Sequence, residues 1–345
     1  MTDVVHLHVG EPKTGTTYLQ AMLVQHQAQL AVDGLLVPGR RIDQVRGAQE
    51  MLDRRNQGRG RLEGRWQALV DEIAAFTGPA AVISMESLVR ADPEQAERAV
   101  AALGVSTARV IVTVRDLARV IPAQWQESLQ FGHTWTFEEY LDAVTADKPR
   151  NSKPGRSFWE QHDTERILQV WCGVVGPKKT TVVTLPRSSG DPRALWQRFA
   201  LALGIDNERY EPIQTANESL GAASAELLRR VNLELGSEVM PRQEYGRLMR
   251  DWLSKTILAT RRGKEQRVVL PPSRQKWVTN RSEDIVRAIT DLGVAVIGDL
   301  DDLRVPEQQS AWAPTAAADL PADADVAAAA VAAIVAMARS RPRRH

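Results

Sequence analysis

At 345 residues, with 43% apolar and 25% charged side chains, the chain has ample material for a hydrophobic core and is neither a disordered nor a fibrous sequence. Its 44 basic and 43 acidic residues leave a net charge of +1, which argues against nucleic acid or an anionic membrane held by bulk field, though not against a local basic pocket. The single cysteine, Cys172, excludes an intramolecular disulfide and, with no N-terminal signal pattern, points to the cytoplasm.

In chain order, the apolar run Val4 to Val9 predicts a buried strand, and Leu19, Met22, Leu23 and Leu30 a helix after it. Leu35-Leu36-Val37, bracketed by Gly34 and Pro38-Gly39, reads as a short strand. Arg40 to Arg65, polar and rich in arginine and glycine, predicts a loop or lid. Trp66 to Phe76 reads as helix and Ala80 to Met85 as the next buried strand. Asp92-Pro93-Glu94 supplies a cap, a proline at the first helical position and an early acid, opening a helix that ends near Gly104.

Arg109 to Val114 is another apolar strand, followed by a long helix, Leu117 to Gln130, and one starting at Phe137. Lys148 to Ser157 predicts a polar break. Thr164 to Val175 reads as helix, with Cys172 a buried, inert thiol within it. Thr180 to Leu185 is a strand, Asp191-Pro192 caps a helix through Leu203, and from Ser219 the chain is largely helical, to Asn232 and again from Tyr245 to Ala259. This alternation predicts an α/β fold, a mainly parallel sheet covered on both faces, with the ligand rim at the carboxyl ends of its strands.

Residues 1–310 are expected to form one α/β domain, helical from about 215, and 311–345 an Ala/Pro-rich linker, a helix and a basic tail. No stretch reaches the roughly 18 to 20 apolar residues of a spanning helix. The nearest, Val326 to Ala338, lies between Pro314–Asp325 and the basic end Arg339–His345. It reads as a helix that docks or frays, with peripheral membrane contact as the sharper alternative.

The run Gly10-Glu11-Pro12-Lys13-Thr14-Gly15-Thr16-Thr17-Tyr18 joins the first strand to the first helix. A strand, a glycine-bearing turn and a helix start make an anion cradle: N–H groups without intrahelical partners point at the ligand and the helix dipole favours its charge. Gly15 lets backbone approach closely, and Thr14, Thr16 and Thr17 add hydroxyls. Gly10 and Gly15 keep the glycine spacing of a nucleoside-triphosphate P-loop, but Thr16 stands where its lysine belongs. The positive charge sits instead at Lys13, without a neighbouring metal-holding hydroxyl placed as that loop requires.

Pro12-Lys13-Thr14-Gly15-Thr16-Thr17, with the aromatic Tyr18 after it, resembles the 5′-phosphosulfate loop of sulfotransferases that use 3′-phosphoadenosine 5′-phosphosulfate (PAPS), and matches that pattern at every position. The resemblance, with the general layout, covers most of the first two-thirds of the chain. It implies a P-loop-like three-layer α/β sandwich, PAPS as co-substrate without a metal, and sulfuryl transfer to a hydroxyl acceptor, small-molecule, glycan or lipid-linked. It further implies that Lys13 stabilises the leaving phosphate, that backbone donors from Thr14 to Thr17 hold the remaining oxygens, and that Tyr18, where the family usually has tryptophan, stacks on the adenine; the plainer reading of Tyr18 is packing under the first helix turn. Arg115, ending its strand, looks like the family's 3′-phosphate arginine; the plainer reading is a strand-end ion pair, with Asp116 for instance. The serine expected eight residues later is Ala123, so Gln124 or Ser128 compensates or the phosphate is held differently. Arg261-Arg262-Gly263-Lys264 loosely resembles a late family motif that gathers the 3′-phosphate, but such a stretch is usually a solvated turn and is not counted in the site.

A general base must take the acceptor's proton. Glu86, immediately after a buried strand, is the preferred candidate, with Glu11 and His26 in reserve. His6 and His8 share one strand face and read as satisfied core histidines before metal ligands. Trp125, Trp135 and Trp159 stand where an acceptor pocket could be lined, or are core. Two other activities fit the cradle less well: an ATP-using phosphotransferase and a non-catalytic nucleotide-binding protein.

Overall fold

The computed structural model describes residues 2–53, 62–187, 191, 193–213, 219–236, 240–305 and 321–340. The chain divides into two compact units, the first from 1–116, 157–215 and 280–304, the second from 117–156, 216–279 and 305–345.

The first unit holds six strands: β1 (Val4–His8), β2 (Leu35–Leu36), β3 (Ala80–Ser84), β4 (Thr107–Val114), β5 (Thr180–Thr184) and β6 (Ala295–Ile297). They form one sheet in the order β2-β3-β1-β4-β5-β6, every neighbouring pair parallel. Both faces of β1 and β3 are buried, which is why these strands read as continuous apolar runs. On one face α1 (Thr16–Gln25) and the helix Ala194–Leu203 enclose a core in which Leu19, Met22 and Leu23 meet Val82, Ile111, Val183, Trp196 and Phe199. The helix Thr164–Val175 packs on β4 and β5, with Ile167, Leu168 and Trp171 wholly buried. The result is a helix–sheet–helix sandwich, the three-layer α/β class expected from the sequence.

β1 lies between β3 and β4, so the chain leaves it toward β2 and β3, returns past it to β4, and continues to β5. Neighbouring strands whose exits diverge open a crevice at their carboxyl ends. Here that crevice falls between β1 and β4, where Lys13 and Arg115 follow.

Several expectations need correction. Residues 41–51 of the predicted loop Arg40–Arg65 form a helix that buries Gln44, Gly47, Ala48 and Met51; residues 54–61 lie outside the described ones. Gln44 is buried yet satisfied, donating to the Pro38 carbonyl and accepting from Ser84 N–H. The predicted break Lys148–Ser157 holds a 3-10 turn, Pro149–Asn151, and the start of the helix Lys153–His162. β6 is a strand the sequence reading missed. By contrast, the helix Pro93–Ala101 opens with the predicted Asp92 cap, a reciprocal capping box with Gln95.

In the second unit the helices Leu117–Gln130 and Ala222–Leu235 pack together, and the helix Asp323–Ser340 docks on the latter, with its Val326 and Ala329 buried. Residues 314–320 of the predicted linker and 341–345 of the basic tail lie outside the described residues. No helix among the described residues is long and apolar enough to cross a membrane.

Candidate active site

The loop from β1 to α1 is guided by β4. Val9 N–H donates to the Ile111 carbonyl at 2.8 Å, and Glu11 N–H to that of Thr113 at 3.1 Å. A Cβ on Gly10 would lie 2.4 Å from Thr113 Oγ1 and 2.5 Å from His8 Nε2, so a side chain there cannot fit without displacing them. Gly15, at φ 85°, closes the loop as the residue before α1.

Between the glycines Lys13 adopts φ 65°. This left-handed conformation costs a non-glycine residue about 1–2 kcal/mol and persists where neighbours impose it. One constraint is direct: Arg115 Nη1 donates to the Lys13 carbonyl at 2.9 Å. Others arrive through a chain of buried hydroxyls. Thr14 Oγ1 donates to the Glu11 carbonyl at 2.6 Å, so it accepts the Thr113 hydroxyl proton across 2.7 Å. Thr113 Oγ1 then accepts from His8 Nε2 at 3.2 Å, which makes His8 the Nε2–H tautomer, its Nδ1 accepting from Ser84 Oγ at 2.7 Å. Burial pushes the His8 pKa down to about 3, so the ring is neutral and this proton order holds near neutral pH. His6 is lowered to about 4, by burial and then by Arg109. His8 is therefore a satisfied core histidine that helps to build the loop.

These bonds refine the expectation for the threonines. Thr14 gives its hydroxyl proton to Glu11 and Thr16 gives its own to Glu86 Oε2 at 2.7 Å. What these two residues offer a ligand is backbone N–H, whereas Thr17 is exposed. No side chain caps α1, and no acid stands in its first turn. With Lys13 before it and Arg115 just after β4, this helix start brings two basic residues to oriented backbone donors, a setting suited to a multiply charged oxyanion.

Glu86 opens the 3-10 turn Glu86–Arg90 directly after β3, where it is half-buried and held by Thr16. Arg166 braces the far end of that turn, donating to the carbonyls of Val89 at 2.5 Å and Ala91 at 3.2 Å. Tyr18 is half-buried and packs against the α1 core, with its phenol pKa raised by burial and by Asp191. Of the reserve bases, His26 sits at the other end of α1, about 15 Å along the axis, bonded to the Glu211 carbonyl. Glu11 is 2% exposed, its carboxylate turned inward to Thr164 Oγ1 at 2.6 Å, so neither reserve reaches a ligand at the helix start.

Other sequence candidates have structural employment. Ser128, weighed as a replacement for the serine absent at Ala123, donates to the Trp125 carbonyl in its own helix. Arg261 pairs with Glu265 at 2.8 Å, and the side chain of Arg262 lies outside the described set. Trp125 and Trp159 are buried, the latter under the Arg281 guanidinium; Trp135 is half-buried and stacked on His133. Cys172 is half-buried rather than fully buried, and burial pushes its thiol up, away from the reactive thiolate. The residues that sequence reasoning missed are Ser84, Thr113, His162 and Thr164. Each is an ordinary residue on a distant segment, and nothing local marks it.

The candidate anion loop thus lies after the first strand of a parallel α/β sheet, beside its switch point. No family model matches the chain, and no curated protein sequence does. Among solved structures, the chain is similar to a sulfotransferase from Alicyclobacillus acidocaldarius, at 18% identity and a TM-score of 0.40, over 66% of this chain and 93% of that one. It is also similar to the sulfotransferase domain from the curacin biosynthetic pathway, at 12% identity and a TM-score of 0.37, over 86% and 99%. At such values neither likeness decides the chemistry.

Proposed function

We propose that this chain transfers a sulfuryl group from PAPS to a hydroxyl acceptor, in the cytoplasmic setting that a single cysteine fits. The observation that carries the reading is Lys13: a cationic residue held at φ 65° inside the cradle, two residues ahead of Gly15, with no lysine at position 16. A loop that cups an anion without the lysine–hydroxyl pair of nucleotide hydrolases suits a donor that needs no metal.

The residues fit such a donor. The uncapped start of α1, from Thr14 to Thr17, would hold the 5′-phosphosulfate oxygens, and Tyr18 is available to the adenine. Arg115, which donates from Nη1 to the Lys13 carbonyl, would also meet the 3′-phosphate. The acceptor oxygen attacks sulfur in line, the new O–S bond forms as the S–O bond to the 5′-phosphate breaks, and the bisphosphate departs. Lys13 neutralises the charge growing on the departing oxygen. Glu86 takes the acceptor's proton; the bond from Thr16 supports this role by fixing one carboxylate oxygen while the other receives the proton.

The test is release of adenosine 3′,5′-bisphosphate from PAPS across a panel of phenols, sugars and lipid-linked glycans. Lys13→Ala should lower transfer by about 10²–10³-fold or more, and unchanged turnover in that variant would sink the mechanism. Glu86→Gln should cut turnover about 10²-fold with nucleotide affinity nearly intact, whereas full turnover would remove Glu86 as the base.

A further inference from the structure

Glu11 presents a paradox: a carboxylate two positions from Lys13, inside a loop built to attract anions. Exposed, it would oppose the ligand's charge. The fold turns it inward instead, where it is 2% exposed and accepts from Thr164 Oγ1 at 2.6 Å. Thr164 begins the helix Thr164–Val175, so the carboxylate lies at the positive end of a twelve-residue helix dipole. His162, with no exposed surface, brings Nδ1 to 3.6 Å from the second carboxylate oxygen. The Thr164 hydroxyl thus bonds one carboxylate oxygen, while the imidazole stands near the other beyond hydrogen-bond reach.

The main chain of Glu11 is fixed as well. Its N–H donates to the Thr113 carbonyl and its carbonyl accepts from Thr14. Pro12 follows, with φ set by its ring and no N–H to spend. Two consecutive immobile residues leave the turn to be made at Lys13, and that is where the left-handed φ appears.

We propose that Glu11 is the positioning residue of the cradle, its carboxylate held by the Thr164 hydroxyl so that Lys13 is kept in its left-handed, ligand-ready conformation before any ligand arrives. The ligand half of this inference rests on the sulfotransferase reading; the conformational half does not. It also explains why an acid is present in an anion loop. The charge serves as an anchor, and the helix start that receives it shields the ligand from it.

Thr164→Val removes the donor at nearly constant volume, and Thr164→Ser restores it. Two readouts separate anchoring from general stability: hydrogen–deuterium exchange of residues 10–18 in ligand-free protein, and calorimetric affinity for adenosine 3′,5′-bisphosphate. Thr164→Val should speed exchange in the loop at least tenfold and weaken binding about tenfold, with β4 and β5 exchanging as in the parent. Thr164→Ser should return both to parental values. If Thr164→Val folds poorly, Glu11→Ala supplies the same comparison. Parental exchange in the loop of either variant would overturn the proposal, as would acceleration spread evenly over the sheet. Should the parent protein bind no bisphosphate, the sulfotransferase reading falls, and the exchange data alone still decide whether Glu11 is the anchor.

Discussion

Two stretches of this chain carry basic residues beside a glycine in the manner of a phosphate loop, and their surroundings are opposite. In the loop Gly10–Thr17, Glu11 turns inward to Thr164, Glu86 accepts from Thr16, and the start of α1 carries neither a side-chain cap nor an acid in its first turn. In the stretch Arg261–Lys264 the guanidinium of Arg261 is held by Glu265, itself buried and bonded to Ser224 through both N–H and Oγ. Basic sequence alone does not make an anion site. What matters is whether oriented backbone donors are left for a ligand.

The largest expected effect separates the two stretches. Lys13→Ala should lower sulfuryl transfer by about 10²–10³-fold or more, the scale for removing one preorganised charge-stabilising donor. The matched change in the other stretch is Arg261→Ala, and equal losses from the two would abolish the distinction.

A second effect comes from the buried histidines that support the first loop. Folded His8 and His6 have pKa values lowered to about 3 and about 4, against about 6.5 unfolded. Below about pH 6.5 the unfolded chain therefore takes up protons that the folded chain refuses. Their contribution is complete above that pH and is lost as pH falls toward 4 and 3. At pH 5 each ring costs about 2 kcal/mol of stability. The melting temperature at pH 5 should fall below that at pH 7, and His6→Gln should narrow the gap. An unchanged gap would show that His6 titrates normally.

Gly10→Ala should destabilise by about 1–3 kcal/mol, since its methyl meets Thr113 Oγ1 and His8 Nε2 well inside contact distance. Denaturant unfolding would measure this, and parental stability would mean that the hydroxyl chain yields easily. The smallest effect is that of Arg261→Ala on nucleotide affinity, expected within about twofold because its partner is an internal acid of modest worth. A tenfold loss by calorimetry would instead bring the second stretch into the site.

The strands β1, β3, β4 and β5 were legible because most of their residues are buried on both faces and each is rich in apolar and β-branched side chains. The helix Leu117–Gln130 was legible as a long segment following a strand, despite Pro122 inside it. The helix over residues 41–51 was hidden because it buries Gln44 and Gly47 rather than a leucine stripe; a glutamine can be core when a strand N–H and a loop carbonyl meet it. The three-residue β6 carries little pattern, being an edge strand with none of its residues fully buried. Within the site, Lys13 and its threonines were visible because one contiguous loop supplies them. Thr113, Ser84 and Thr164 were not, since their roles depend on which side chain the sheet register and a distant helix place beside the loop. Sequence order holds no trace of that until the chain is folded.

The central claim, that the loop after β1 takes a phosphosulfate-bearing nucleotide without a metal, is tested most directly by thermal stability with adenosine 3′,5′-bisphosphate plus chelator and, separately, with Mg-ATP. Ligand at 100 times its dissociation constant adds about 2.7 kcal/mol, enough to raise the melting temperature by several degrees. A rise with the bisphosphate and none with Mg-ATP is the predicted result. A rise with Mg-ATP alone would contradict it and make the loop that of a phosphotransferase.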